Sequence, residues 1–198
     1  MRALSPKSSR VKESRMLQNP KRSIRRISVL GSGKVPGKDP VYRQAAELGQ
    51  ALAQKGFTLF HGGFGGVMEA VAKGSQKAKG RNIGVTIRGA SKKVNPFVDA
   101  EIRMPCWQSR LFKLIEKGEA YIFLDGATGT LAELFVVLEM TNRGLLKEPI
   151  IILGKKLGIL LRSLKKNSHL DLPRTLHFVT SIPQTIKILE RTGNGTRD

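Results

Sequence analysis

Short apolar runs alternate with longer stretches of helical periodicity along most of this chain. Residues 26–30, 57–60, 82–87, 121–124 and 150–153 are strand-sized runs rich in Ile, Val, Leu and Phe. After the first of them, Val41, Ala45, Leu48, Leu52 and Ala53 recur at helical spacing up to Lys55 and Gly56. Asp39 is placed to cap that helix, and Pro40 suits its first position because a proline there loses no needed N–H. The same periodicity predicts helices over 65–79 and 107–117, and from just after Thr130 to about Asn142, where Gly144 is a stop. Further helical patterns surround 157–164 and 183–189, while 88–99, with its Gly, Ser, Pro and Asn, reads as a loop. Strands alternating with helices at this spacing imply a parallel sheet covered on both faces. The expected fold class is α/β, a Rossmann-like doubly wound parallel sheet sandwiched by helices.

Charge changes the picture at the N-terminus. The chain has 198 residues and a formal net charge of +20. Nine of its basic residues, from Arg2 to Arg26, lie in the first 26 positions against Glu13 alone. That segment is serine-rich and apolar-poor, so it cannot repay the entropy of ordering. It is expected to be a disordered basic arm over 1–25 with weak polyanion binding, ahead of one nucleotide-binding domain at 26–192 and a disordered tail at 193–198. The arm lacks the apolar core of a secretory signal. No apolar run approaches the roughly 18 residues of a membrane helix, so no membrane partner is expected. The single cysteine, Cys106, excludes an internal disulfide and a cysteine metal cluster and points to a reducing, cytoplasmic setting.

Chemistry concentrates in two glycine turns. In Tyr121-Ile-Phe-Leu-Asp-Gly-Ala-Thr-Gly-Thr-Leu-Ala-Glu133 a strand runs into a small-residue turn and then a helix. Backbone N–H groups at such a helix start are unpaired and partly positive, which suits a phosphate, so Gly126, Ala127, Thr128, Gly129 and Thr130 are candidate ligands. Glu133 follows one turn inside the helix, where a carboxylate beside an anion site calls for a role. Upstream, His61-Gly-Gly-Phe-Gly-Gly66 joins a strand to a helix in the same way, adding Gly62, Gly63, Gly65 and Gly66, and Gly31 with Ser32 ends the first strand. Together they suggest one nucleotide-sized crevice. Two known phosphate motifs fail: three residues rather than four separate Gly33 from Gly37-Lys38, Asp39 replaces the magnesium hydroxyl, and G-x-G-x-x-G is broken at Lys34-Val35-Pro36. His61, His169 and His177 show no metal-ligand spacing; His61 could point into the crevice or be an ordinary edge or core histidine.

The two turns, with the helix between them, resemble the Lonely Guy family of phosphoribohydrolases. The family pattern P-G-G-x-G-T-x-x-E falls on Asp125 to Glu133, the upstream glycine motif on Gly62 to Ala70, and the first strand and turn on Val29 to Ser32. Arg110 matches the arginine of the family's Arg-Lys pair, with Leu111 in the lysine position. The resemblance covers about 27–153. It implies hydrolysis of the N-glycosidic bond of a nucleoside 5′-monophosphate, with Glu133 and Arg110 catalytic, the glycine turns holding phosphate, no cofactor and no metal. A homodimer is also expected, partly from the family and partly because 134–140 is apolar on more faces than one sheet contact requires. Asp125 and Ala127 depart from the pattern, and an Asp125 charge near a phosphate would disfavour it. They keep open a non-catalytic nucleotide carrier on the same scaffold. The basic arm keeps open a nucleic-acid binder, although Tyr42, Trp107 and Tyr121 are too scattered for a stacking platform.

Overall fold

The computed structural model describes residues 24–91 and 93–194; the basic arm up to residue 23 and positions 195–198 lie outside the described residues. Seven strands, β1 (Arg26–Leu30), β2 (Thr58–His61), β3 (Asn82–Ile87), β4 (Ala100–Met104), β5 (Tyr121–Phe123), β6 (Ile150–Ile152) and β7 (Leu176–Phe178), form one sheet in the order β4-β3-β2-β1-β5-β6-β7. Every pairing is parallel, as in β1–β5, where Val29 faces Ile122. Six helices cover it: α1 (Pro40–Gln54), α2 (Val67–Lys77), α3 (Trp107–Lys117), α4 (Thr128–Asn142), α5 (Lys155–Asn167) and α6 (Ile182–Asn194). The doubly wound α/β sandwich expected from periodicity is the fold.

Strand alternation sorts the core into two layers. Ile27, Val29, Ile122 and Ile151 face Leu48, Leu52, Val71 and Leu189 of α1, α2 and α6. Leu30, Tyr121, Phe123 and Ile152 face Leu111, Leu134, Leu138 and Leu161 of α3, α4 and α5. Asp39 caps α1 as expected, its carboxylate accepting the Val41 N–H at 2.7 Å. Two strands escaped the periodicity reading, β4 and β7. Both are edges, and neither contains a buried residue. With one neighbour and no fully covered face, an edge strand carries little apolar signal. The body also begins earlier than residue 26: Ile24 packs against the first core layer and the Arg25 N–H donates to Glu119. At the other end α6 continues to Asn194, past the boundary expected at 192.

Candidate functional site

The strand order reverses direction around β1, which has β2 on one side and β5 on the other. The loops leaving these carboxyl ends diverge to opposite faces, and ligands of open α/β sheets bind in the crevice so formed. A cavity of about 250 Å³ lies there, lined by the turn after β1, by Gly62 after β2, by Trp107 and Arg110 of α3, and by the first turn of α4. That volume is near the lower end of small-ligand pockets, which run from about 300 Å³.

Helix α4 begins at Thr128, three residues before the expected start, so Thr128, Gly129 and Thr130 form its first turn. Its N-cap, Ala127, supplies no side-chain acceptor. The first intrahelical bond comes from Leu131 N–H to the Ala127 carbonyl at 3.0 Å. The three N–H groups before it have no helical acceptor and sit at the positive end of the macrodipole. Glu133 lies one turn further in, on the cavity wall and only 7% exposed.

Arg110 faces inward from α3. It is 7% exposed and belongs to the buried stripe with Leu111 and Leu114. Its Nε donates to the Val85 carbonyl at 2.8 Å, and its Nη1 lies 3.3 Å from Glu133 Oε1. Glu133 has no other hydrogen-bond partner among the described residues. Burial raises its carboxyl above the usual glutamate range, and the Arg110 charge pulls it partly back. A buried carboxylate with one contact at 3.3 Å keeps most of its accepting capacity for a ligand or a water.

Of the predicted residues, Gly31, Ser32, Gly62, Arg110, Ala127, Thr128, Gly129, Thr130 and Glu133 line this cavity. Gly63, Gly65, Gly66 and Gly126 do not. Gly63 and Gly66 hold φ of +76° and +66°, a region that disfavours side chains. A Cβ on Gly66 would strike the Ser32 carbonyl, and one on Gly126 would strike Thr130 Oγ1. Gly65 lies under the Gly33 carbonyl. These glycines shape the turns from behind. The sequence reading missed Gly33, Lys34, Met68 and Trp107, which also line the cavity. Their signal was only adjacency to a recognised motif or one helical turn from Arg110.

Two further residues take structural roles. His61 is fully buried and stays out of the cavity. Its Nδ1 accepts the Gly63 N–H at 3.1 Å and its Nε2 meets Asn82 Oδ1 at 3.1 Å, which assigns the neutral Nε2–H tautomer. Burial pushes its pKa down to about 4. Asp125 does not aim its charge at the ligand space. Its carboxylate accepts the N–H groups of Leu157 at 2.8 Å and Lys156 at 3.3 Å, capping α5, whose own N-cap is Gly154. Its carbonyl accepts the Ser32 N–H at 3.3 Å, tying the two halves of the crevice together. Leu111, in the family's lysine position, is 2% exposed in the second core layer, where no cation belongs.

Comparison with known proteins agrees with this fold. The family model described as the SLOG cluster4 family matches residues 24–179. An uncharacterised protein of Archaeoglobus fulgidus is 33% identical over 67% of this chain and 87% of its own length. A probable cytokinin riboside 5′-monophosphate phosphoribohydrolase of Oryza sativa subsp. japonica is 30% identical over 66% of this chain, a match that spans 54% of the rice protein. Among solved structures, that of the protein TM1055 is similar with a TM-score of 0.71 and 26% identity, covering 84% of this chain and 99% of that one. The molybdenum cofactor binding protein of the phototrophic bacterium Rippkaea orientalis shares the fold with a TM-score of 0.67 at 24% identity, over 85% and 95% of the two chains.

Proposed function

The chain belongs to the SLOG cluster4 family, and on that footing we propose that it is a phosphoribohydrolase cleaving the N-glycosidic bond of a nucleoside 5′-monophosphate. The observation that carries the reading is the buried Arg110–Glu133 pair beside the open first turn of α4 in one cavity. The 5′-phosphate sits on the N–H groups of Thr128, Gly129 and Thr130, with Gly31 and Ser32 opposite. The ribose then lies over Glu133. As the bond from C1′ to the base nitrogen breaks, its electron pair leaves with the base and positive charge develops on the sugar. Glu133 stabilises that charge and takes a proton from the attacking water, whose oxygen bonds to C1′; the proton passes to the departing base. Arg110 holds Glu133 ionised despite its burial and adds positive charge toward the phosphate.

Ala127, in a glycine position of the family pattern, supports a second reading, a carrier that binds a nucleotide without cleaving it. The charge argument for that reading is gone, because Asp125 turns toward α5. Incubation with a panel of nucleoside monophosphates and chromatography of the released base separates the two. Free base with equimolar ribose 5-phosphate is expected; binding without release establishes the carrier instead. The protein is further proposed to be a homodimer, with Phe112 of α3 and Phe135 of α4, 53% and 36% exposed, in the contact. A monomer mass by light scattering at tens of micromolar rejects that dimer.

A further inference from the structure

Trp107 stands apart from its own helix face. It shares the inward stripe of α3 with Arg110, Leu111 and Leu114, which are 7%, 2% and 1% exposed, yet it is itself 42% exposed. The reason is position: Trp107 is the first residue of α3, one turn before Arg110, and its partly exposed side chain lines the cavity. A large aromatic left wet at the rim of a ligand site gains nothing for the core. Polar groups that could read a base are few there. Among the described lining residues, side chains with hydrogen-bonding groups are Ser32, Lys34, Trp107 through its indole N–H, Arg110, Thr128, Thr130 and Glu133. In the proposed reading Arg110 and Glu133 serve the ribose and phosphate from the interior, and Ser32, Thr128 and Thr130 flank the phosphate. Lys34 and the Trp107 indole N–H remain for base edges.

The cavity is also small. About 250 Å³ takes the phosphate and sugar but leaves an aromatic base at the opening. We infer that Trp107 is the stacking platform for the base, so that the site selects by ring area and favours bicyclic purine over monocyclic pyrimidine monophosphates. This rests on the nucleotide reading proposed above and goes beyond it, because it assigns base selection to one side chain. Stacking is sequence-tolerant, since every base has a π-face, and its strength follows the overlapped area.

Trp107 is the single tryptophan of the chain, so selectively excited tryptophan fluorescence reports on this ring alone. AMP, CMP and ribose 5-phosphate are titrated against the whole protein, with fluorescence read immediately after mixing and affinity measured in parallel by calorimetry. AMP is expected to bind tightest and to quench strongly, CMP to bind more weakly, and ribose 5-phosphate to compete with AMP without quenching. In Trp107→Ala, AMP affinity should fall roughly 5- to 100-fold, the range of one lost stacking contact. Ribose 5-phosphate affinity and melting temperature should stay as in wild type, and Trp107→Phe should recover part of the AMP affinity. In turnover, the Ala variant should raise KM for AMP with little change in kcat. Cys106, the adjacent and only cysteine, is exposed, so its alkylation should slow under AMP but not under ribose 5-phosphate. Equal quenching by AMP and ribose 5-phosphate, or unchanged AMP affinity in Trp107→Ala, would overturn the assignment while leaving the nucleotide site standing. Calorimetry showing that none of the three compounds binds removes the nucleotide reading itself, and the platform with it.

Discussion

The two glycine turns look alike in sequence and do opposite things. In the turn after β2, glycine is needed because protein atoms crowd it. A Cβ on Gly62 would land on the Arg110 guanidinium, and one on Gly63 would stand 2.7 Å from Thr86 Cγ2. The carbonyls of Gly63 and Phe64 are held by the buried Asn95 side chain, whose amide nitrogen lies 3.1 and 2.9 Å away. In the turn after β5, a Cβ on Gly129 would meet nothing within 4 Å, and the N–H groups beside it have no helical acceptor. The first turn is closed by the protein, whereas the second, crowded at Gly126 by Thr130, is open at Gly129. A glycine-rich turn is therefore evidence for a ligand only where its missing side chains face empty space.

The largest expected effect tests the open turn. Glu133→Gln keeps the side-chain shape and removes the charge that stabilises an oxocarbenium-like state, so turnover should fall on the order of 100-fold or more. Nucleotide affinity should hold or improve, since a negative charge near the phosphate is gone. Steady-state kinetics and calorimetry on the same preparation check both halves, and equal turnover by wild type and variant removes Glu133 from the mechanism. In the wild type, kcat/KM should rise with pH through an apparent pKa above that of an ordinary glutamate, because burial raises the carboxyl.

A paired substitution bears on the contrast directly. Gly62→Ala forces Arg110 off its place and should cost about 1–3 kcal/mol of stability, the range of overpacked cores, together with most of the activity. Gly129→Ala should leave the melting temperature level or slightly higher, since alanine is the better helix former by up to ~1 kcal/mol, while a methyl in the ligand space weakens phosphate binding. If the two variants lose stability alike, the turns do not differ as described.

Acid should reveal the closed turn through His61. Its folded pKa of about 4 lies below the ordinary value near 6.5, so the folded state binds fewer protons between those limits. Stability is then fully present above pH 6.5 and is lost as pH falls toward 4, with a slope of up to ~1.4 kcal/mol per pH unit. Urea titrations at pH 7 and pH 5 should show the drop in wild type and a smaller one in His61→Gln. The smallest effect expected is for Asp125→Ala, which removes the side-chain cap of α5 and should cost ~1 kcal/mol. Because the Asp125 carbonyl still accepts from Ser32, AMP affinity should change little; a tenfold improvement would instead mean that the Asp125 charge reaches the phosphate.

Periodicity alone determined the parallel α/β sandwich, the cap of α1 and the limits of β3 and α3, since these follow from local spacing and from residues whose preference is intrinsic. A family resemblance anchored on short, contiguous motifs, not periodicity, assigned Glu133 and Arg110 to one site. Only the tertiary structure decided the rest. Edge strands β4 and β7 take their conformation from a single neighbouring strand, so their sequences carry no strong period. Arg110 is buried because α3 packs across β3 and brings Val85 and Glu133 to it, partners 25 and 23 residues away. Asp125 reads as a charge in a phosphate turn until α5, thirty residues later, presents two unpaired N–H groups to its carboxylate. Which face of a glycine is crowded and which is empty depends on atoms distant in sequence, and no local pattern records them.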